Sequence, residues 1–170
     1  MKKRAFLLVL AVLPVLAGVG VAVAAGAFDG AKPATARFHD LDKAIEAGYS
    51  IRLADLAGIE CIASPGGQGA MGVHMVNGSL LDGTIDATAP EALVYEPRND
   101  GTLKLVALEY VIFQSAWTGS GKPSLFGQEF DVVPAGNRYG LPPFYALHAW
   151  IWKPNPSGIL YAWNPRVDCS

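Results

Sequence analysis

From residue 49 onward the chain never runs apolar for longer than one β-strand before a turn signal interrupts it, and this punctuation restricts the fold more than any other feature. Apolar and β-branched stretches at Ile59–Ala63, Met71–Asn77, Ala92–Glu96, Leu103–Gln114, Phe130–Val133, Phe144–Lys153 and Gly158–Trp163 are strand-like. Between them lie Ser64-Pro65-Gly66-Gly67, Asn77-Gly78, Asp82-Gly83, Asn99-Asp100-Gly101 and Asn155-Pro156-Ser157-Gly158, all turn formers. The pattern predicts a mainly β fold of the α+β class, an antiparallel sheet closed into a barrel or folded as a sandwich. Long strands with few covering helices must bury one face against each other. The clearest hairpin joins Ala92–Glu96 to Leu103–Gln114. One N-terminal helix is expected from Thr35 to Gly48, with Thr35 or Asp40 as N-cap, Phe38, Leu41 and Ile45 on its apolar face, and Gly48 as its stop.

The residues ahead of this domain have a different character. Lys2, Lys3 and Arg4 precede an apolar run from Ala5 to Ala25, which ends in the small residues Ala22, Ala24 and Ala25. A basic start, an apolar middle and an A-x-A end are the three parts of an export signal. Residues 1–25 are therefore expected to be a signal peptide, and residues 26–170 a single β-rich domain that is secreted or periplasmic. Uncleaved, the same run is about long enough to anchor the chain in a membrane, the one route by which this protein would meet a bilayer. Three of the 13 basic residues and none of the 15 acidic ones fall in this segment, so the remaining domain is net acidic. Without a basic cluster it has no electrostatic footprint for nucleic acid.

The chain has two cysteines, Cys61 and Cys169. In an oxidising compartment such a pair predicts a disulfide, here closing nearly the whole domain and contributing on the order of 4 kcal/mol in the chain-entropy model. A bonded sulfur is no nucleophile. Gly119-Ser120-Gly121-Lys122 is not a phosphate-binding loop, because Pro123 stands where that loop needs a hydroxyl. G-x-S-x-G, C-x-x-C and H-E-x-x-H are all absent.

What remains is a set of polar residues inside apolar strands. Side chains in a strand alternate faces, so Leu103, Leu105, Ala107, Glu109, Val111 and Phe113 are expected to share one face. Phe144, Ala146, His148, Trp150 and Trp152 are expected to share another, and His74 lies between Gly72 and Val76 on a third strand. Three strands thus each aim one titratable group inward. A buried charge needs a partner or a metal. Two imidazoles and a carboxylate suit a divalent transition metal such as zinc, iron(II), manganese, nickel or copper(II). His74, Glu109 and His148 are the expected ligands, with His39 as a third imidazole or a supporting group. The competing interpretation is that each is a hydrogen-bonded core residue that only specifies the fold. Trp150, Trp152, Tyr161 and Trp163 form an aromatic concentration, either a core plug or the wall of a pocket for a small apolar ligand, with Lys153 and Arg166 at its mouth.

The segments Gly69-Ala70-Met71-Gly72-Val73-His74-Met75-Val76-Asn77, Leu108-Glu109-Tyr110, Leu147-His148-Ala149-Trp150-Ile151-Trp152-Lys153-Pro154-Asn155-Pro156 and Trp163-Asn164-Pro165-Arg166-Val167-Asp168-Cys169 resemble a group of secreted bacterial proteins of unknown function. The likeness implies export and carries no activity. The His, Glu, His order on strands also resembles the cupin barrel, which would imply a metal-binding β-barrel. Cupins place two histidines one residue apart, whereas here Val76 lies two positions after His74.

Overall fold

The computed structural model describes residues 26–169. The expected signal segment, residues 1–25, lies outside the described residues. No helix among the described residues is long and apolar enough to cross a membrane.

The domain is mainly β. Its strands are β1 (Ile51–Arg52), β2 (Cys61–Ala63), β3 (Ala70–Val76), β4 (Ala92–Pro97), β5 (Leu103–Phe113), β6 (Ser124–Leu125), β7 (Gln128–Glu129), β8 (Asp131–Val133) and β9 (Phe144–Ala149). Seven of them form one antiparallel sheet in the order β1-β3-β4-β5-β9-β8, with β2 also paired to β3 beyond the end of β1. β6 and β7 form a separate small hairpin. The predicted β4–β5 hairpin is present, and Asp100 fixes its turn by accepting from the N–H and hydroxyl of Thr102.

The sheet is open, which corrects the barrel. β1 with β2 forms one margin and β8 the other, and no pairing joins them. Closure is unnecessary because each face is covered by other chain. On one face pack the N-terminal helical segments, and Phe38, Ala44 and Tyr49 join Met75, Leu93, Tyr95, Leu108, Tyr110 and Leu147 in the larger core. Three tyrosines lock that face to loops: Tyr95 donates to Phe38 O at 2.7 Å, Tyr49 to Pro90 O at 2.8 Å, and Tyr110 to Ala87 O at 2.8 Å. Over the other face runs the C-terminal segment, where Val167 meets Ala70, Val94, Val106, Ala107 and Trp150.

The single expected helix is instead two, α1 (Ala31–Thr35) and α2 (Leu41–Glu46), separated by a 3-10 turn at Ala36–His39. Asp40 breaks the run because its backbone is extended, which lets its side chain cap α2 by accepting from Asp42 N–H at 3.1 Å. Gly158–Trp163 is not a strand. Its carbonyls serve side chains: Trp150 Nε1 donates to Tyr161 O at 2.6 Å and Asn155 Nδ2 to Trp163 O at 3.0 Å. The segment returns to the sheet only at an isolated bridge between Asn164 and Ala70.

A bulge in β5 alters the predicted face assignment. Val94 pairs with Ala107 but Tyr95 with Leu105, so Val106 is an extra residue. Leu105 therefore moves to the helix-covered core while Ala107 stays on the opposite face. Glu109 lies past the bulge and keeps its predicted orientation.

The C-terminal segment is tied down covalently. Cys61 in β2 is bonded to Cys169, 108 positions further along the sequence, with Cα atoms 5.6 Å apart. No free cysteine is present among the described residues. The bridge points to an oxidising environment outside the cytoplasm.

Candidate metal centre

The register determines which polar groups meet. His74 pairs with Val94 in β4, Ala92 of the same strand pairs with Glu109 in β5, and Glu109 pairs directly with His148 in β9. Paired residues share a face, so all three project from the side opposite the helices.

They converge there. His74 Nε2 is 3.4 Å from His148 Nε2 and 3.3 Å from Glu109 Oε2, and His148 Nε2 is 3.7 Å from Glu109 Oε1. One donor atom from each residue lies within 4.8 Å of the others, the one such group of three among the described residues. All three are buried, at 1 %, 8 % and 3 % exposure for His74, Glu109 and His148. Trp150 closes the site from beside β9, its ring nearly parallel to that of His148 with centroids 6.2 Å apart. The cluster can hold a metal ion.

The imidazole–carboxyl contacts are longer than good hydrogen bonds, and the two Nε2 atoms are in long contact at 3.4 Å. Good N–H···O bonds are about 2.7–3.2 Å long. A tetrahedral ion with bonds of about 2.0–2.1 Å separates its ligand atoms by about 3.3–3.4 Å. The two imidazole nitrogens match that spacing at 3.4 Å and Glu109 Oε2 matches it to His74 at 3.3 Å, while His148 faces the other carboxyl oxygen at 3.7 Å.

Burial sets the protonation. With no cation beside it, the Glu109 carboxyl is pushed up to about 8 by loss of solvent, with Glu91 adding to the effect. Burial pulls His74 down to about 4, opposed only in part by the backbone of Gly72, and its Nδ1 has no well-formed hydrogen bond. His148 is driven well below the ordinary imidazole range by burial and by His74 beside it. The cluster is thus held uncharged, with both imidazoles in the neutral form that ligates metals.

These shifts make the metal-free domain pH-sensitive with opposed signs. Unfolded Glu109 ionises near 4.5 and folded Glu109 near 8, so stability falls as pH rises between those values. Unfolded His74 titrates near 6.5 and folded His74 near 4, so stability is lost as pH falls through that window, and His148 acts in the same direction. Glu91, which burial pushes up to about 7, acts with Glu109 and offsets the imidazoles below pH 6.5, so stability should be nearly level there and then fall, with Glu109 alone costing about 2 kcal/mol by pH 8. Urea denaturation of metal-free protein across this range checks it. A flat profile between pH 6.5 and pH 8 would contradict a protonated Glu109.

The other nominated residues lie elsewhere. His39, on the 3-10 turn against the helix-covered face, stands edge-on to Trp152 with ring centroids 4.6 Å apart and does not join the cluster. Burial and Lys104 lower its pKa. Trp150 is in the core, whereas Trp152 and Trp163 are half-buried and line no cavity beside Glu109. Lys153 is paired with Glu96, and Arg166 is exposed. The aromatic segment is core and strap rather than pocket wall.

A cavity of about 230 Å³ does adjoin the cluster, with Glu109 in its wall beside Ile51, Leu53, Val111, Tyr139 and Leu141. Val111 shares the strand face predicted for Glu109, but the other neighbours were not predicted. Leu53, Tyr139 and Leu141 lie in loops with no periodicity, and nothing in the sequence marks them.

No protein-family model matches the chain, and no curated protein or solved structure matches it either.

Proposed function

We propose that this is an exported protein that binds one divalent transition metal of the zinc type through His74, Glu109 and His148. The observation that carries the proposal is the convergence of three buried donor groups, one from each of three strands, within 4.8 Å of one another. Three protein ligands leave one position of a four-coordinate ion open, the arrangement in which zinc acts as a Lewis acid or activates water. Export is supported by the disulfide and by the signal-like residues 1–25.

Chelator-treated protein titrated with zinc should take up one ion per chain. His74→Ala, Glu109→Ala and His148→Ala should each weaken uptake at least about 100-fold, more than the loss of a group that only orients a ligand. His39→Ala should leave it unchanged. Protein that takes up none of zinc, copper(II), nickel, manganese or iron(II) would overturn the assignment.

A further inference from the structure

Glu109 belongs to two environments at once. Its carboxylate faces the two imidazoles, and it is the one charged side chain in the wall of the 230 Å³ cavity. Apart from the Tyr139 phenol, the rest of that wall is hydrocarbon, including the rings of Phe113 and Phe144. A cavity of about 150 Å³ holds benzene, so this one has room for a molecule of about ten non-hydrogen atoms.

The loops around the cavity are clasped together. Leu53 belongs to the connection between β1 and β2, and Tyr139 and Leu141 to that between β8 and β9. Arg138 joins the two connections, reaching Asp55 Oδ2 at 2.6 Å, while Leu56 N–H donates to Arg138 O at 2.9 Å. Trp150 closes the other side of the cluster. An ion held by Glu109 is therefore approached through the cavity.

Charge selects the occupant. A divalent ion on two neutral imidazoles and one carboxylate leaves a net positive charge at an apolar wall, where an unbalanced charge is costly. Glu91, the next carboxyl, accepts from Val111 N–H at 2.9 Å and does not line the cavity. We propose that the cavity binds a small apolar monoanion, a carboxylate of about ten non-hydrogen atoms, whose anionic end completes the ion's coordination while its hydrocarbon body fills the space. The inference rests on the metal assignment above.

Benzoate, benzamide and benzamidinium share one shape and differ in charge, so they test it directly. Each is titrated into the cobalt(II)-loaded protein, with calorimetry for affinity and the cobalt visible bands for coordination. Benzoate should bind and shift the bands, benzamide should bind at least about tenfold more weakly, and benzamidinium should not bind. Removing the metal should weaken benzoate at least about tenfold. Leu141→Trp, on a loop outside the ligand-bearing strands, and Val111→Phe, in the sheet, should each fill the cavity and abolish benzoate binding while retaining cobalt. Benzamidinium binding as tightly as benzoate, or both filled variants binding benzoate like the wild type, would sink the idea. Cobalt uptake with no benzoate response overturns this inference alone, whereas failure to take up cobalt or zinc overturns the metal assignment with it.

Discussion

Replacing Cys61 and Cys169 together by alanine should lower the folding free energy by on the order of 4 kcal/mol, read by urea denaturation, and the melting temperature by roughly 15 °C. The bridge spans 108 residues, so cutting it returns much freedom to the unfolded chain. The folded state suffers too, because the bridge holds down the segment that covers the face carrying His74, Glu109 and His148. Asn164 within it is fully buried, pairs with Ala70, accepts from Arg166 N–H at 2.9 Å and donates to Pro154 O at 3.3 Å. Val167, two residues before Cys169, completes the small core around Trp150. Reducing agent should act on the wild type as the double substitution does. An unchanged denaturation midpoint in both experiments would show that the segment is held by its noncovalent contacts alone.

Zinc at about a thousand times its dissociation constant should stabilise the wild type by about 4 kcal/mol. The informative comparison is Glu109→Gln, which keeps the shape of the side chain and removes its ionisation. Without metal the variant should be more stable than the wild type above pH 6.5, because it no longer carries a carboxyl that burial holds up at about 8. With zinc the order should reverse, because the amide is a poor ligand. That crossing distinguishes a metal site from a polar group that merely specifies the fold. If Glu109→Gln were the less stable protein in both conditions and zinc moved neither, the cluster would be structural.

The candidate ligands were legible in the sequence because period-two alternation is a local property. His74, Glu109 and His148 each stand out against apolar neighbours on their own strand, and no knowledge of the fold is needed to see it. Their convergence was inferred from the cost of burying charge and not from any pattern in the sequence. It depends on β4 lying between β3 and β5, and on β9 pairing with β5 across the residues that separate them, which no local pattern encodes. The bulge at Val106 shows how narrowly the reading of β5 succeeded. An extra residue flips Leu103 and Leu105, and had it fallen between Ala107 and Glu109 the carboxylate would have faced the helices. His39 failed as a ligand for a related reason. Its helical turn packs on the other side of the sheet, and a sheet has two sides that sequence does not label. The tryptophans misled because bulk and aromaticity serve a core as readily as a pocket. The actual cavity is walled partly by loops, where hydrophobic residues carry no periodic signal.

The distance along the chain between the two imidazoles also decides when an ion can be chosen. His74 and His148 are 74 residues apart, so a growing polypeptide presents the first long before the second has been made. Until β9 has docked beside β5, the cell's cations meet isolated side chains rather than a site. Selection of the ion is postponed to wherever the later part of the chain completes its folding. On the export and metal binding proposed above, that place would lie beyond the membrane, and the ion would be drawn from the supply outside rather than from where the protein is made.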